Sequence, residues 1–195
     1  MRIIAGSKRR LRLKSIEGMQ TRPTTDRIKE TLFNILQNEI PGCYFLDLFA
    51  GSGQIGLEAA SRGARYVVFA EHAKKAADCI RSNIQSTKSE KECLLLQMDA
   101  VSALRSLEGR YQFDVVFLDP PYKSQLEKPV FEYLKTSSLL AENALIIVET
   151  ARDTDFSYLG EAGFAVVREK NYKTNAHIFI QREGKDETSN LSGEL

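Results

Sequence analysis

From Tyr44 onward, short apolar runs alternate with stretches of helical spacing, and no other feature of the chain restricts its fold as much. The runs predict strands at 44–49, 66–71, 93–98, 114–118 and 144–149, and the stretches between them predict helices at 55–62, 73–85, 101–107 and 125–136. Strands joined by helical crossovers pair in parallel and are buried on both faces. The sequence therefore predicts an α/β domain built around a parallel sheet.

The last two apolar runs, 164–169 and 176–182, depart from this alternation because only six residues separate them. A connection this short cannot hold a crossover helix, so we expect these strands to pair antiparallel at one edge of the sheet. A mostly parallel sheet of about seven strands that ends in an antiparallel hairpin suits a Rossmann-like, class I methyltransferase fold better than a dehydrogenase fold. Residues 184–195 are polar and net acidic, and we expect a disordered tail there.

Charge is distributed unevenly along the chain. The net charge of the 195 residues is +1, but residues 1–30 contain nine Lys and Arg against three acids. A basic arm on an acidic body is expected where one surface meets a phosphate backbone, although a solvated charged tail has the same composition. The apolar residues within the arm favour a short ordered hairpin that turns near residues 6–7. Next, Thr24, Thr25 and Asp26 predict a helix N-cap, and Pro41-Gly42 ends that helix.

Composition argues against several classes of protein. An apolar content of 43% over 195 residues suits one globular domain with a sizeable core. We find neither a signal-peptide core nor a run of about 20 apolar residues, so we expect a cytoplasmic protein without membrane contact. Three widely spaced cysteines and two histidines in unrelated contexts, His72 and His177, indicate neither a disulfide framework nor a metal site.

The first predicted strand ends in a glycine-rich turn. Gly51, Gly53 and Gly56 satisfy the dinucleotide pattern G-x-G-x-x-G, and Glu71 follows at the end of the second predicted strand. In that pattern the glycines let a cofactor approach the backbone, and the acid binds ribose hydroxyls. An NAD-dependent enzyme is therefore a genuine alternative, and a purely structural turn is a weaker one.

Asp47 distinguishes between the two cofactors. A carboxylate beside the helix N-terminus would repel the pyrophosphate of NAD. S-adenosylmethionine (SAM) has no phosphate and carries an ammonium and a sulfonium, so the same carboxylate favours it. Glu71 would bind the ribose of either cofactor, and Asp99-Ala100 would meet the adenine edge, although Asp99 could also cap a helix. The sequence favours SAM.

The run Val115–Leu118 ends at Asp119-Pro120-Pro121-Tyr122. Two prolines cannot extend a strand, so the Asp119 carboxylate and the Pro120 carbonyl are expected to stand together as acceptors beside an aromatic ring. These groups suit a planar base with an exocyclic NH2, since both N–H bonds can be held while the nitrogen lone pair is aimed at a methyl group. Tyr122 would stack on the base. A stiff structural loop is the plainer interpretation.

Together these residues resemble a known family. The segment 47–53 (DLFAGSG), Glu71, Asp99-Ala100 and the segment 119–122 (DPPY) occur in the order typical of class I amino methyltransferases. The N-terminal segments 2–6 (RIIAG) and 22–36 (RPTTDRIKETLFNIL) are more specific and resemble the RsmD family of bacterial 16S rRNA guanine-N2 methyltransferases. The resemblance extends from residue 1 to about residue 182. One departure is the segment 172–174 (YKT), where the family usually has a glycine after the tyrosine.

The resemblance implies methylation of guanine N2 in 16S rRNA, on a small ribosomal subunit or its assembly intermediate, without a metal. It implies an RNA-binding arm and helix at 1–40, a SAM-dependent domain at 41–183 and a tail at 184–195. It also implies that Arg22, Thr24 and Arg27 lie near either the methionine end of the cofactor or the RNA. The expected catalytic residues are Asp119, Pro120 and Tyr122. The expected cofactor residues are Asp47, Phe49, Gly51, Gly53, Glu71, His72, Asp99, Ala100 and Asp119, and the expected RNA contacts are Lys8, Arg9, Arg10, Arg12, Arg22 and Arg27.

Two alternatives stay open at this point. The catalytic tetrapeptide accepts any planar NH2 donor, so adenine or cytosine in nucleic acid, or a protein glutamine, could be the substrate. A protein that keeps the fold and binds nucleic acid without catalysis is the other alternative. The presence of Asp119 and Tyr122 argues against it.

Overall fold

The computed structural model describes residues 1–16, 26–122 and 124–184. Its helices are α1 (Asp26–Ile35), α2 (Gln54–Ser61), α3 (Lys74–Ser86), α4 (Ala100–Leu107) and α5 (Glu127–Leu134), with a short 3-10 turn at Ser157–Leu159. Its strands are β1 (Tyr44–Leu48), β2 (Tyr66–Ala70), β3 (Cys93–Leu96), β4 (Phe113–Leu118), β5 (Leu140–Ala151), β6 (Phe164–Asn171) and β7 (Asn175–Arg182). The expectations for Arg22, Thr24, Thr25 and the tail at 185–195 lie outside the described residues.

The strands form one seven-stranded sheet in the order β3-β2-β1-β4-β5-β7-β6. β1 to β5 run parallel, and β7 pairs antiparallel with both β5 and β6. This arrangement confirms the predicted mostly parallel sheet with an antiparallel terminal hairpin. Its order reverses at β1, which is the point where such sheets bind ligands beyond the carboxyl ends of their strands.

Each face of the sheet is covered by its own layer. One apolar cluster joins the sheet to α4 and α5, and the other joins it to α1, α2, α3 and the N-terminal hairpin. Phe33 and Leu36 on one side and Phe131 and Leu134 on the other are fully buried in these layers. Burial on both faces explains why the parallel strands are continuously apolar in sequence.

The N-terminal arm is an ordered hairpin, as its interleaved apolar residues predict. Arg2 and Arg12 form an antiparallel bridge, and the Ile3 N–H donates to the Leu11 carbonyl. Ile3 is fully buried and Leu13 is 5% exposed, so the hairpin contributes to the core. The predicted boundary at residue 40 therefore divides the sequence but does not divide the hydrophobic core.

Several predicted strand ends differ from the structure. β1, β2 and β3 end one or two residues early, at Leu48, Ala70 and Leu96, because the chain leaves the sheet there to form the loops at its carboxyl edge. β5 is longer than predicted, since it starts at Leu140 and pairs with β4 through an irregular register. Within the described ranges, no helix has both the length and the hydropathy required to span a bilayer.

Candidate active site

The register of the sheet brings three carboxylates to one edge. Asp47 of β1 lies level with Phe117 of β4, and Phe117 lies level with Ile147 of β5. Asp119 follows Phe117 by two residues, and Glu149 follows Ile147 by two residues. Because side chains two residues apart lie on the same face of a sheet, all three acids belong to one face. The carboxyl edge between β1 and β5 is therefore acidic.

Asp47 is buried at this edge and has a structural contact. Its Oδ2 accepts the N–H of Gly56 at 2.9 Å, which ties the end of β1 to the first turn of α2. Burial raises the pKa of Asp47 to about 8, the Gly56 hydrogen bond opposes this rise, and the Glu71 charge adds to it. A nearby cation would stabilise the ionised form of Asp47, whereas a pyrophosphate would be repelled. The site therefore fits SAM better than a dinucleotide.

The glycine-rich turn is held in left-handed backbone. Phe49 has φ 60° and Gly51 has φ 57°, and a Cβ at Gly51 would meet no atom within 4 Å. This open space leaves room for a ligand against the backbone. At Gly56, by contrast, a Cβ would lie 2.3 Å from the Phe69 ring, so this glycine serves close packing of α2 on β2.

Glu71 closes the same turn from β2. Its carboxylate accepts the N–H of Gly51 at 2.9 Å and the N–H of Ala73 at 2.8 Å. Each carboxylate oxygen keeps further acceptor capacity for a ribose diol. The neighbouring His72 is highly exposed, with Nδ1 3.6 Å from Glu71 Oε1, and so stands at the mouth of the site.

Asp99 and Ala100 lie at the start of α4, at the same edge. The Asp99 carboxylate accepts the Ser102 N–H at 2.9 Å, which confirms the helix-cap role considered from the sequence. Hydrogen bonds from Ser102 lower the pKa of Asp99. Because Asp99 is exposed, it also has acceptor capacity toward an adenine amino group, and that contact stays a prediction.

The tetrapeptide that follows β4 borders an open cleft with its last three residues, Pro120, Pro121 and Tyr122, and Asp119 is not among the residues that line this cleft. The Asp119 N–H donates to the Leu48 carbonyl at 3.4 Å, and no backbone N–H of residues 1–16, 26–122 and 124–184 donates to the Pro120 carbonyl. Tyr122 is 45% exposed. The cleft beside it has a volume of about 320 Å³ and is lined by Pro120, Pro121, Tyr122 and Thr150, among others. This volume suits a planar base.

Like charges surround Asp119. The pKa of Asp119 is raised well above its usual value. The largest cause is loss of hydration among neighbouring protein atoms, followed by the charge of Glu149 and then that of Asp47. Asp119 nevertheless stays accessible to solvent, so the two neighbouring charges are the firmer cause of the rise. Among the residues that the structure describes, no group of three His, Cys, Asp or Glu is arranged to hold a metal ion.

Comparison with known proteins gives the family. A family model described as "Conserved hypothetical protein 95" matches residues 1–181. Ribosomal RNA small subunit methyltransferase D of Haemophilus influenzae is 41% identical over 154 residues, which is 78% of this chain and 80% of that protein. The Escherichia coli protein of the same name is 33% identical over 188 residues, 96% of this chain and 93% of that protein. The chain belongs to the RsmD family.

Structural similarity agrees with this family. The solved structure of yhhF from Escherichia coli superimposes with a TM-score of 0.80 at 33% identity, covering 95% of this chain and 99% of that one. The fold is thus that of a class I methyltransferase, as the strand pattern predicts.

The RsmD-type N-terminal block is bound to α2 by buried charges, which the sequence did not reveal. Glu58 is fully buried and accepts the N–H groups of Ile4 and Ala5 at 2.8 and 3.0 Å. It also contacts the buried Lys29 ammonium at 3.2 Å and the Arg62 guanidinium at 2.9 Å. Burial lowers the pKa of Lys29, and the Glu58 charge opposes this effect.

Two further side chains fasten the hairpin. Ser61 accepts the Lys8 N–H at 2.9 Å and donates to the Ala5 carbonyl at 2.6 Å. The buried Asn83 of α3 exchanges hydrogen bonds with the backbone of Lys14 and also donates to the Ser52 carbonyl at 2.9 Å. Asn83 therefore connects the hairpin to the glycine-rich turn.

The cations predicted to bind RNA fall into two groups. Lys8 is half-buried and forms an ion pair with Glu92, so its charge is partly neutralised within the protein. The second group is exposed and has no side-chain partner in the described part of the chain. It comprises Arg9, Arg10 and Arg12, which we call the hairpin arginines. Arg27 is exposed in the first turn of α1, whereas Arg22 lies outside the described residues.

The sequence also missed a buried polar cluster next to Asp119. Glu149 accepts a hydrogen bond from Asn175 Nδ2 at 2.8 Å and lies 3.2 Å from His177 Nε2. The other His177 nitrogen is 3.1 Å from the Tyr172 hydroxyl, in the segment where this chain departs from the family pattern. The sequence signal was a histidine within an apolar strand, at His177. Its position opposite Glu149 becomes visible only from the pairing of β5 with β7.

Proposed function

We propose that this RsmD-family chain transfers the methyl group of SAM to the exocyclic N2 amine of a guanine in 16S rRNA of the small ribosomal subunit. The observation that carries the proposal is the position of Asp119-Pro120-Pro121-Tyr122 directly after β4, beside the acidic edge and the cleft. The relatives named ribosomal RNA small subunit methyltransferase D support the substrate class.

The residues around the glycine-rich turn would hold the cofactor. The bound cofactor supplies a methyl group activated by a positively charged sulfur. Asp47 and Asp119 offer negative charge to its cationic methionine end, and Glu71 offers acceptors to its ribose. Asp99 and Ala100, with His72 at the mouth, would border the adenosine. Gly51 leaves the backbone approachable, whereas the space beside Gly53 is filled by Ile80 and Phe69. Phe49 adopts the same left-handed conformation as these two glycines.

The Asp119 carboxylate and the Pro120 carbonyl would activate an aromatic amine, which is a poor nucleophile on its own. The lone pair of such an amine is delocalised into its ring, so the nitrogen attacks poorly until it becomes pyramidal. Two acceptors that take both N–H bonds favour the pyramidal form and stabilise the positive charge that develops on nitrogen. The exposed Tyr122 ring stacks on the base and fixes the line of attack.

The hairpin arginines and Arg27 would contact the RNA backbone, since they are exposed on the element that precedes the catalytic domain. Their charge gives affinity and orientation, whereas selection of the base belongs to the cleft. A target guanine within a helix has to be extruded to reach Asp119, and an unpaired one is captured at lower cost. We therefore expect a partly assembled small subunit with an accessible guanine to be the substrate in the cytoplasm.

The test uses labelled SAM with three acceptors in parallel: small subunits lacking the modification, naked rRNA, and DNA. The methylated nucleoside is identified by mass spectrometry. We expect N2-methylguanosine from the small subunit or its rRNA. Methyladenine, methylcytosine or a labelled protein glutamine as the principal product would contradict the proposed substrate.

The catalytic assignment is tested with Asp119→Asn. Loss of a charged acceptor that acts in the transition state costs about 10²–10³-fold in rate. SAM affinity, measured by calorimetry, should fall far less than the rate, because Asp47 still offers negative charge to the cofactor. Asp114→Asn is the matched control, because Asp114 lies on the same strand but accepts the Tyr44 N–H near the opposite end of β4. Equal loss of activity in both variants would remove the special role of Asp119.

A further inference from the structure

Glu149 is placed beside the catalytic tetrapeptide by strand pairing. β4 and β5 pair in parallel up to Leu118 and Val148, so Asp119 and Glu149 are the next residues on adjacent strands. Adjacent strands are about 4.8 Å apart. Glu149 is only 5% exposed, and yet it sits next to the solvent-accessible Asp119 at the edge that would bind the cofactor.

Glu149 is held from the antiparallel hairpin. His177 of β7 lies directly opposite it in register, and Asn175 lies two residues away on the same strand. Asn175 Nδ2 donates to Oε1 of Glu149 at 2.8 Å, and His177 Nε2 lies 3.2 Å from Oε2. Both oxygens of Glu149 therefore have a fixed neighbour.

Contacts with Tyr172, on the side of the ring away from Glu149, fix the orientation of His177. Its Nδ1 is 3.1 Å from the Tyr172 hydroxyl, and the two rings meet edge to face at 5.1 Å. A His177 ring that donates from Nε2 to Glu149 and accepts from the Tyr172 hydroxyl at Nδ1 satisfies the contacts of both ring nitrogens. This arrangement leaves the negative charge on Glu149.

The charged and titratable groups around this centre come from four strands. Asp119 is faced by Glu149 from β5 and by Asp47 from β1. Glu149 is faced by His177 from β7 and by Tyr172, and Arg168 of β6 lies near Tyr172. The nearest charges to Asp119 are thus negative, which favours its protonated form.

We propose that Glu149, fixed by Asn175 and His177, is a positioning residue that makes Asp119 a base strong enough to take the proton released by the methylated amine. The proposal rests on the proposed function and extends it. In the transfer, a nitrogen–carbon bond forms, the sulfur–carbon bond breaks with its electron pair going to sulfur, and the nitrogen becomes positive. One N–H proton then passes to the Asp119 carboxylate and from there to solvent, which leaves the neutral methylated amine.

This role gives the terminal hairpin a part in the reaction. An ordinary aspartate is a weak base, and a proton acceptor works best when its pKa approaches the operating pH. A fixed neighbouring carboxylate provides this change without entering the cleft. The side chains that hold Glu149 lie on β7 and in the turn before it, so the hairpin sets the chemistry of a residue on β4.

The experiment compares Glu149→Gln, Glu149→Asp and Glu108→Gln in the full chain. Glu108 is the matched control, because it is also a carboxylate with several hydrogen-bond donors but lies after α4, away from the edge. The Asp119 carboxyl is titrated by ¹³C NMR on aspartate-labelled protein, and Asp119→Asn identifies its signal. The pH dependence of single-turnover methyl transfer is measured on the same variants.

In Glu149→Gln, loss of the negative charge lowers the pKa of Asp119, so we expect its titration and the acid limb of the rate profile to move down by about one pH unit. The rate at neutral pH should fall about three- to tenfold. Glu149→Asp keeps the charge but shortens the side chain that Asn175 and His177 hold, so its shift should be smaller than that of Glu149→Gln. Glu108→Gln should leave the Asp119 titration unchanged. If Glu149→Gln does not fold, His177→Phe should give the same direction of change with a smaller amplitude.

An unchanged Asp119 titration in Glu149→Gln, or the same shift in Glu108→Gln, overturns the inference. The NMR titration needs no RNA, so it separates this inference from the proposed function. A protein that shows the shift but methylates no rRNA would refute the substrate and leave the coupling between Glu149 and Asp119 intact.

Discussion

Replacing Glu58 by alanine tests whether the N-terminal hairpin is an integral part of the folded domain. Glu58 is fully buried and holds the Lys29 ammonium, which is also fully buried, together with two backbone N–H groups of the hairpin. Removal of one partner of a buried ion pair costs about 3–5 kcal/mol because the other charge is left uncompensated. The two N–H groups add about 1–3 kcal/mol each if the hairpin stays docked.

The hairpin can avoid part of this cost by detaching, so we expect an observed loss of about 3–5 kcal/mol. For a chain of this size each kcal/mol lowers the melting temperature by about 2–4 °C. The expected decrease is therefore about 6–20 °C. Because the chain contains no Trp, far-UV circular dichroism in a urea titration is the suitable assay. Detachment should also free the backbone around the hairpin arginines, so trypsin should cleave after them faster than in the wild type.

The control is Glu132→Ala, an exposed glutamate of α5, which should change stability by less than about 0.5 kcal/mol. The double variant Lys29→Met/Glu58→Ala should recover part of the loss, since the uncompensated ammonium is gone. A loss below about 1 kcal/mol in Glu58→Ala, or no coupling between the two positions, would refute the view that this buried pair fastens the hairpin.

Three further outcomes are expected. Gly6→Ala should loosen the hairpin, because Gly6 has φ 84° and a Cβ there would lie 1.8 Å from the Ser61 carbonyl oxygen; Gly109→Ala has a similar φ but no neighbour within 4 Å, so melting curves of the two variants isolate the clash. Partial burial favours a higher pKa for Glu108, but hydrogen bonds from two serines and a tyrosine outweigh this effect and lower the pKa to about 2. The resulting stabilisation of the fold is present above about pH 4.5 and is lost as the pH falls toward 2. Glu108→Gln should therefore flatten that part of the acid denaturation curve. Replacement of the hairpin arginines by glutamine should reduce the slope of log K against log salt for rRNA binding by about 0.7 per lost phosphate contact, and a slope like that of the single variant Lys8→Gln would show that these arginines do not contact RNA.

The sequence predicted the sheet well because its signals are local. Continuous apolar runs such as Val115–Leu118 identify buried parallel strands. The short connection before β7, predicted as six residues and found as the three residues 172–174, identifies the antiparallel pair. The carboxyl ends of parallel strands meet at one edge, so acids that follow different strands could be expected together. For this reason the sequence could predict that Asp47, Glu71, Asp99 and Asp119 lie at one edge of the sheet, and their roles there stay predictions.

The residues that the sequence missed depend on partners far along the chain. Glu58 and Lys29 occupy helical positions that look like solvated charges, and only their contact across 29 residues makes both of them interior groups. Asn83 has no local pattern of its own, and its partners are Lys14 and Ser52. His177 looked unrelated to the site until β7 placed it opposite Glu149. Non-local pairing of polar groups carries no periodic signal in one sequence.

The attachment of the hairpin has a consequence for synthesis of the protein. Residues 1–14 leave the ribosome before the groups that hold them, which are Glu58, Ser61, Asn83 and Glu92. The hairpin must therefore wait, undocked and with its arginines exposed, until Glu92 has emerged. Since contacts of such long sequence separation form late in folding, docking of the amino terminus is expected to be among the last steps of folding rather than the first.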